Sequence, residues 1–303
     1  MMNEPAKLMW WQGNMVPAGD TALTLANHSL HYGLCVFEGI SAFPSGDEGH
    51  HIFRLQEHMT RFAESCRLVG TSLAQSPAEL AAACHETLTA NGLRRAYLRP
   101  LAFLGDGVLG LAAPGAQAQV AVLAFDVSGF DAVIRAQQPR LALSEVARLS
   151  PHAYPTKAKA SAGYLNSRIA WLDAQERGCD DALMLDDTGA VAECTVQNVF
   201  GVRGRTLLVP DSPAALDGIT LDSVIELAGD LGYAVDRGPL APADLLACEA
   251  LCVASTAGGV RPVRSVDAAV FDTDNPVVAD IVRAYRQAEL GLLPGYAKWV
   301  SAG

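Results

Sequence analysis

The chain has 303 residues, half of them hydrophobic and 18% charged, which is typical of a packed globular protein and excludes a disordered one. Its formal net charge of −11 disfavours broad binding to nucleic acid or to an anionic membrane. It contains no apolar stretch of about 18 residues and no secretory signal pattern, so we expect a cytoplasmic protein. The seven cysteines contain no CxxC pair and are predicted to be buried, reduced thiols. No metal site is expected, since the adjacent pair His50 and His51 lies in a Gly-, Asp- and Glu-rich loop.

Two helices are predicted in the first half of the chain. The first spans 55–68, where one apolar stripe repeats at spacings of four, three and four: Leu55, Met59, Phe62 and Cys66. The second begins near Pro77, with Ser76 as its N-cap, and ends near Asn91. Strands are predicted to follow at "AYLRPLAFL" and "QVAVLAF".

The passage "DVSGFDAVIRAQQPR" interrupts both periodicities, and we place a domain junction there. Beyond it, "DDALMLD" and "ECTVQNVFGVRGRTLLVP" are typical of strands, with a turn at "DDTG", and "SVIELAGDLGY" of an amphipathic helix. The predicted divisions are a small N-terminal α/β domain over 1–126, a linker over 127–138 and a large C-terminal domain over 139–303. This mixture predicts two α/β or α+β domains with a cleft between them.

One apparent dinucleotide motif is set aside. Gly105, Gly107 and Gly110 form a G-x-G-x-x-G pattern after a predicted strand. Pro114 and Gly115 follow where such a site needs a helix, so we expect a loop.

Lysine placement is unusual, because only four of the 22 basic residues are lysines. Lys157 and Lys159 nevertheless lie one residue apart in "SPHAYPTKAKASAGYLNS". A lysine in a cleft can lose its proton and attack a carbonyl, whereas a surface lysine does not. The placement favours Schiff-base chemistry without establishing it.

Other segments offer anion-binding or acid groups, each with an ordinary alternative. Glu193 lies among apolar residues and is either a functional acid or a carboxylate satisfied by backbone or by Asn198. Gly218, Ile219 and Thr220 begin a predicted helix, where free N–H groups favour a phosphate, although an ordinary Thr N-cap fits equally.

Two further segments have the chemistry of carboxylate sites. The turn of "VASTAGGVRPV" offers hydroxyls and amides to an anion, as many loops do. In "AYLRPLAF" the period of two places Tyr97 and Arg99 on one strand face, an arrangement suited to a carboxylate or to a plain surface pair.

Together these segments resemble the fold-type IV pyridoxal-phosphate enzymes, and among them the branched-chain amino-acid aminotransferases. The motifs follow the family's order over nearly the whole chain: "HSLHYGLCVFEGI", "FRLQEHMTRF", "YLRPLAFLGD", "PTKAKASAGYLNS", "AECTVQNVF", "LDGIT" and "STAGGVRPV". The resemblance implies a two-domain α/β (α+β) fold like that of D-amino-acid aminotransferase, with the active site at the domain interface.

The resemblance also implies a cofactor site for pyridoxal 5'-phosphate. Lys159 would form the Schiff base, since the family's lysine lies four residues after the Pro and five before the Tyr of this motif, which selects it over Lys157. Tyr164 would hydrogen-bond the phenolic oxygen, and Glu193 would hold the pyridine nitrogen protonated. The implied phosphate ligands are Arg61, Ile219, Thr220 and Thr256. Leu216 would pack on the ring.

The implied substrate contacts divide into three groups. Tyr97 and the turn amides of Thr256 and Ala257 would receive the α-carboxylate. Arg99 and Tyr32 would contact a distal carboxylate, with Tyr32 contributed by this or a neighbouring subunit. Phe37 and Gly39 would shape the side-chain pocket. The implied reaction is ping-pong transamination between a branched-chain or related hydrophobic L-amino acid and 2-oxoglutarate, with glutamate as amino donor. We expect a homodimer or a higher homo-oligomer with no nucleic-acid or membrane partner.

Two departures from the family pattern bear on the substrate. Ser41 stands where the family commonly has Arg, and Asp126, Val127 and Phe130 stand where Pro, Trp and Tyr are expected. They predict a bulkier or more specialised substrate. Lys157 is an additional departure to which the sequence assigns no role.

Other activities compete with this interpretation. Within the fold they are D-amino-acid aminotransferase, R-selective amine aminotransferase and aminodeoxychorismate lyase. The branched-chain type is favoured over them by the retained residues Tyr32, Phe37, Gly39, Tyr97 and Arg99. A non-catalytic binding protein is disfavoured by the intact set of Lys159, Glu193 and Tyr164. A cofactor-independent lysine aldolase would leave Glu193 and the phosphate-binding motifs unexplained.

Overall fold

The computed structural model describes residues 4–105, 109–113, 116–129 and 131–303. Gly107, Pro114, Gly115 and Phe130, on which sequence predictions were made, lie outside the described residues. In chain order the helices and strands are β1 (Leu8–Trp11), β2 (Asn14–Pro17), α1 (His28–Tyr32), β3 (Cys35–Phe37), β4 (Ile40–Ser45), β5 (Gly49–Phe53), α2 (Leu55–Leu68), α3 (Pro77–Ala90), β6 (Ala96–Leu104), β7 (Ala118–Asp126), α4 (Asp131–Arg135), β8 (Arg140–Leu143), a 3₁₀ turn (Ser161–Gly163), α5 (Tyr164–Glu176), β9 (Asp181–Leu185), β10 (Val191–Cys194), β11 (Asn198–Arg203), β12 (Thr206–Pro210), α6 (Ile219–Asp230), β13 (Ala234–Gly238), α7 (Pro242–Leu246), β14 (Ala250–Ser255), β15 (Gly259–Pro262), β16 (Ser265–Val266), β17 (Ala269–Val270), α8 (Pro276–Glu289), a second 3₁₀ segment (Pro294–Trp299) and β18 (Val300–Ala302).

The chain divides into two compact units. The first comprises Met1–Asp131, Ala158–Ala162 and Glu289–Gly303, and the second comprises Ala132–Lys157 and Gly163–Ala288. The sequence analysis had placed all of 139–303 in one domain. Two segments belong instead to the first unit, because β18 pairs with β5 and because Ala160 bridges to Val36 of β3.

The first unit is built on an antiparallel sheet in the order β18-β5-β4-β6-β7-β1-β2, with β3 also paired to β6. Helices α2 and α3 pack against each other, and α3 packs on β1, β6 and β7. Both helices confirm the predicted bounds, and the apolar stripe of α2 is buried as expected. Ser76 and Glu79 form a capping box at the start of α3, which explains why the helix begins there.

The sheet of the first unit has a local irregularity at Glu38 and Gly39, between β3 and β4. β3 and β4 both pair with β6, on either side of Pro100. Proline has no N–H to donate to a sheet ladder, and its carbonyl accepts from Glu38 N instead, at 3.0 Å. The chain between β3 and β4 therefore leaves regular pairing at Glu38 and Gly39, and both residues are buried.

The second unit contains two five-stranded sheets, in the orders β10-β9-β8-β16-β17 and β13-β12-β11-β14-β15. A hydrophobic core joins them, with Leu141 and Leu183 from the first sheet and Val199 and Val253 from the second. α5 packs on the outer side of the first sheet through small residues such as Ala170. The predicted strands and the "DDTG" turn are confirmed.

The passage predicted to be irregular contains the short helix α4, which corrects that prediction. Helix α6 begins at Ile219, which confirms the helix start predicted at Gly218, Ile219 and Thr220. Among the described helices, none is long and apolar enough to span a membrane.

Candidate active site

Lys159 has its main chain fixed by two neighbours in the first unit. Its amide N donates to Ser65 Oγ at 3.0 Å, and its carbonyl accepts from Phe37 N at 3.1 Å. Its side chain is half-buried, with Nζ 5.2 Å from the ring centroid of Phe37. Helix α2 and strand β3 thus hold the lysine from two sides.

Lys157 lies only two positions away but has different contacts, all in the second unit. Its Nζ donates to Ala215 O at 2.9 Å and to Asp217 Oδ1 at 2.8 Å. The adjacent Thr156 Oγ1 donates to Pro213 O at 2.6 Å. Lys157 therefore serves the loop before α6, which is a role that the sequence did not reveal.

Glu38 forms the most enclosed charged cluster near Lys159. Its carboxylate has no exposed surface and accepts from Arg61 Nε at 2.7 Å and from Arg61 Nη2 at 2.8 Å. It also accepts from His58 Nδ1 at 2.8 Å and from the N–H of Gly39 at 3.2 Å. His58, Arg61 and Ser65 lie on one face of α2, so that a single helix supplies both this cluster and the contact to the Lys159 main chain.

The charges in this cluster are set by burial and by each other. Burial alone would raise the pKa of Glu38, but the charge of Arg61 and the hydrogen bonds from His58 and Arg61 outweigh it and hold that pKa well below its usual range. Burial lowers the pKa of His58, Glu38 opposes this effect, and the charges of Arg61 and Lys159 lower it further. Glu38 is thus ionised and His58 neutral at pH 7.

The predicted substrate-binding residues of β3 and β6 come together on one face of the sheet. The Arg99 guanidinium carbon lies 4.8 Å from the Phe37 ring centroid and 5.5 Å from that of Tyr97. Arg99 Nε is buried without a hydrogen-bond partner. Gly39 leaves room for Tyr97, because a Cβ at position 39 would lie 1.8 Å from the Tyr97 hydroxyl.

The same face extends to both neighbouring strands. Ser41 and Phe125 lie directly opposite Tyr97, and directly opposed residues share a sheet face. Ser41 is buried, and because it pairs with Tyr97, an Arg at its position would project from this same face. The sequence analysis had not identified Phe125. Of the replaced loop, Asp126 is exposed and Val127 is buried.

Tyr32 ends α1, where its ring lies 6.0 Å from the rings of His28 and His31. These contacts do not join it to the face that carries Tyr97, so its proposed contact with a distal carboxylate stays a prediction.

In the second unit, Glu193 is buried on β10 and bound on both oxygens. Arg148 Nη2 lies 2.7 Å from Oε1, and Asn198 Nδ2 donates to Oε2 at 3.3 Å. Arg148 also donates to Ser167 Oγ, at 2.9 Å. No sequence pattern had singled out Arg148, because its segment lacks periodicity and its partner is distant along the chain.

The start of α6 has the features of an anion site. Its N-cap is Gly218, which has extended dihedral angles and no side-chain cap, so the alternative of a Thr N-cap is wrong. Thr220 is buried, with Oγ1 3.4 Å from the hydroxyl of Tyr285. The first N–H groups of a helix lack intrahelical partners, and an anion such as phosphate satisfies them.

Thr256 and Ala257 lie in the turn between β14 and β15, as the sequence predicted. Asn198, at the start of β11, pairs with Ala254 near the end of β14. The turn therefore lies at the end of the sheet where β11 begins. Arg261 packs beneath the turn, because a Cβ at Gly258 would lie 2.8 Å from Arg261 Nε. Tyr164 is half-buried at the start of α5.

The donor set fits the chemistry of pyridoxal phosphate. Lys159, in the first unit, would supply the amine, and Glu193, in the second unit, would supply a buried carboxylate for a protonated ring nitrogen. Gly218 starts a helix without a side-chain cap, which suits the phosphate, and Leu216 lies in the loop just before it. A carboxylate offers about four acceptor positions, so the contacts of Glu193 to Arg148 and Asn198 are compatible with a third donor.

Comparisons with known proteins agree with this chemistry. The family model described as amino-transferase class IV matches residues 35–266. The branched-chain-amino-acid aminotransferase of Escherichia coli strain K12 is 33% identical over 99% of this chain and 97% of its own length. The structure of the branched-chain aminotransferase from Thermoproteus uzoniensis, solved with norvaline, superposes with a TM-score of 0.92 at 32% identity, covering 98% of this chain and 99% of its own. That of the branched-chain amino acid aminotransferase from Thermobaculum terrenum, solved in its PLP-form, also gives a TM-score of 0.92, at 26% identity and covering 99% of each chain.

Proposed function

Because the chain belongs to the class IV aminotransferase family, with the fold-type IV architecture and pyridoxal-phosphate chemistry of that family, we propose that it transfers amino groups between branched-chain or related hydrophobic L-amino acids and 2-oxoglutarate. Glutamate is the amino donor in the reverse direction, and the kinetics are ping-pong. The observation that carries the proposal is the held main chain of Lys159, between Ser65 and Phe37.

The cofactor contacts are proposed from the pattern of the class IV family, with the placement of Lys159, Glu193 and the start of α6 in support. When bound, pyridoxal phosphate supplies the electron sink that stabilises negative charge at the substrate Cα. Lys159 Nζ would hold the cofactor covalently and, once the amino group of the substrate has replaced it there, would take the Cα proton as a free amine. Glu193 accepts from the ring nitrogen, and Tyr164 contacts the phenolic oxygen. The proposed phosphate ligands are Arg61, Ile219, Thr220 and Thr256. Leu216 is the proposed contact on the ring face.

The substrate contacts are proposed from the face that carries Tyr97 and Arg99. The unpartnered, buried Nε of Arg99 supports a role in binding the distal carboxylate of glutamate, with Tyr32 as a second contact. The Phe37 ring and the space left by Gly39 support an apolar side-chain pocket. The Tyr97 hydroxyl and the turn amides of Thr256 and Ala257 receive the α-carboxylate.

The assembly and location of the enzyme are proposed on other grounds. Leu165, Ile169 and Leu172 form an apolar row on α5, and these side chains are 68%, 48% and 42% exposed. Such a row favours a homodimer or a higher homo-oligomer. A cytoplasmic location is part of the same proposal, because the proposed amino-acid and oxo-acid substrates are metabolites. Light scattering on the purified protein would measure the assembly.

The test of function is a pair of half-reactions followed by absorbance. Purified protein loaded with pyridoxal phosphate is mixed with L-glutamate or L-leucine, and the bound cofactor is expected to convert to its amino form with either. D-alanine serves as the comparison, because a D-amino-acid aminotransferase would use it. Conversion by D-alanine but by neither L-amino acid would contradict the proposed substrate class.

A further inference from the structure

Asn198 contacts three of the proposed cofactor-binding elements at once. Its Nδ2 donates to Glu193 Oε2 at 3.3 Å and to Leu216 O at 3.0 Å. Its Oδ1 lies against Gly218, where a Cβ would approach it to 1.7 Å. One side chain, 8% exposed, thereby links the carboxylate, the loop residue and the start of α6.

The backbone of Asn198 is held by a sheet, whereas Leu216 and Gly218 lie in a loop. Asn198 belongs to β11 and pairs with Ala254 of β14, so its backbone is held by the sheet. Leu216 and Gly218 belong to the stretch between β12 and α6, which has no regular structure. The sheet residue therefore positions the loop, and the two N–H groups of a single amide suit the two acceptors.

We propose that Asn198 is a positioning residue that fixes Glu193, Leu216 and the start of α6 in one arrangement. The contacts for the ring nitrogen, the ring face and the phosphate are then preorganised together. This proposal rests on the proposed function, because it takes these three elements to be cofactor contacts.

In the described part of the chain, two neighbouring residues each bind only one of the elements that Asn198 links, so their contacts distinguish its possible roles. Lys157 donates to Ala215 O and Asp217 Oδ1, so it holds the same loop without contacting Glu193 in the described hydrogen bonds. Arg148 binds Glu193 and Ser167 instead of the loop. Lys157→Met is thus the matched control for loss of loop anchoring alone.

The test measures the affinity of the apoprotein for pyridoxal phosphate, by quenching of tryptophan fluorescence, together with the melting temperature. Asn198→Asp keeps the shape, removes the donor and puts a second carboxylate beside Glu193. We expect about 10- to 100-fold weaker binding, the usual effect of losing hydrogen bonds to a buried charged group. Lys157→Met should weaken binding less, since the Lys157 side chain is 41% exposed. Asn198→Ala adds no charge and provides the same test if Asn198→Asp does not fold.

A double-mutant cycle tests whether Asn198 acts through Glu193. Asn198→Ala, Glu193→Gln and their combination are compared, and the combined loss of affinity is expected to be smaller than the product of the single losses. Wild-type affinity in Asn198→Asp and Asn198→Ala would overturn the proposal, as would fully independent effects in the cycle or a loss no greater than that of Lys157→Met. Failure of the wild-type protein itself to bind pyridoxal phosphate would refute the proposed function instead.

Discussion

Replacing Glu38 by glutamine tests the ion cluster between this fully buried carboxylate and two side chains of α2. The carboxylate accepts four hydrogen bonds, two from Arg61, one from His58 and one from the Gly39 amide. Glutamine has nearly the same shape, but its NH₂ group must face at least one of these donors. One lost charged hydrogen bond costs about 1.5–3 kcal/mol, and breaking a buried ion pair from one side costs about 3–5 kcal/mol, because the remaining charge is uncompensated. We therefore expect the larger range.

Calorimetry on the apoprotein measures this loss as a lower melting temperature, on the order of 10 °C for a unit of this size. Glu64→Gln is the control on the same helix, since its pair with Arg67 is exposed, with side-chain exposures of 49% and 70%. Exposed pairs are screened by solvent, so this variant should melt close to the wild type. The reasoning is refuted if Glu38→Gln melts as high as Glu64→Gln.

Three further predictions concern pH and two glycines. The pKa values of His58 and Glu38 are lowered in the folded state, so the unfolded state binds more protons. The folding stability is therefore full above about pH 6.5 and falls with acid as His58 and then Glu38 titrate. Urea unfolding of the apoprotein measures this dependence, and a stability that rises with acid would contradict the assignment. Gly39→Ala displaces the Tyr97 hydroxyl and should raise KM for amino acids about tenfold, whereas an unchanged KM would show that Tyr97 tolerates displacement. Gly218→Ala should displace the Asn198 side chain and weaken pyridoxal phosphate binding in a fluorescence titration; unchanged affinity would contradict the proposed phosphate site.

Local patterns predicted much of the fold because their causes are local. The apolar spacing of 55–68 and the capping residue Ser76 fix α2 and α3 within a few turns of chain. The alternation of β6 likewise placed Tyr97 and Arg99 on one face, and the structure brings their side chains together. Each of these signals is contained in the segment that it describes.

The features that sequence reasoning missed depend on distant partners. Glu38 acquires its role only when α2 brings His58 and Arg61 to it, and Arg148 only when β10 brings Glu193. The return of β18 to the first unit leaves no local signal for the same reason. The role of Lys157 was hidden similarly, since its oxygen partners lie about sixty positions further along the chain.

The central claim is that Lys159, and not Lys157, carries the cofactor. The most direct measurement is borohydride reduction of the protein loaded with pyridoxal phosphate, followed by proteolysis and mass spectrometry of the peptides from 150–167. We predict a phosphopyridoxyl group on Lys159 alone, retained in Lys157→Met and lost in Lys159→Ala. A label on Lys157, or an equal label in Lys159→Ala, would contradict the account.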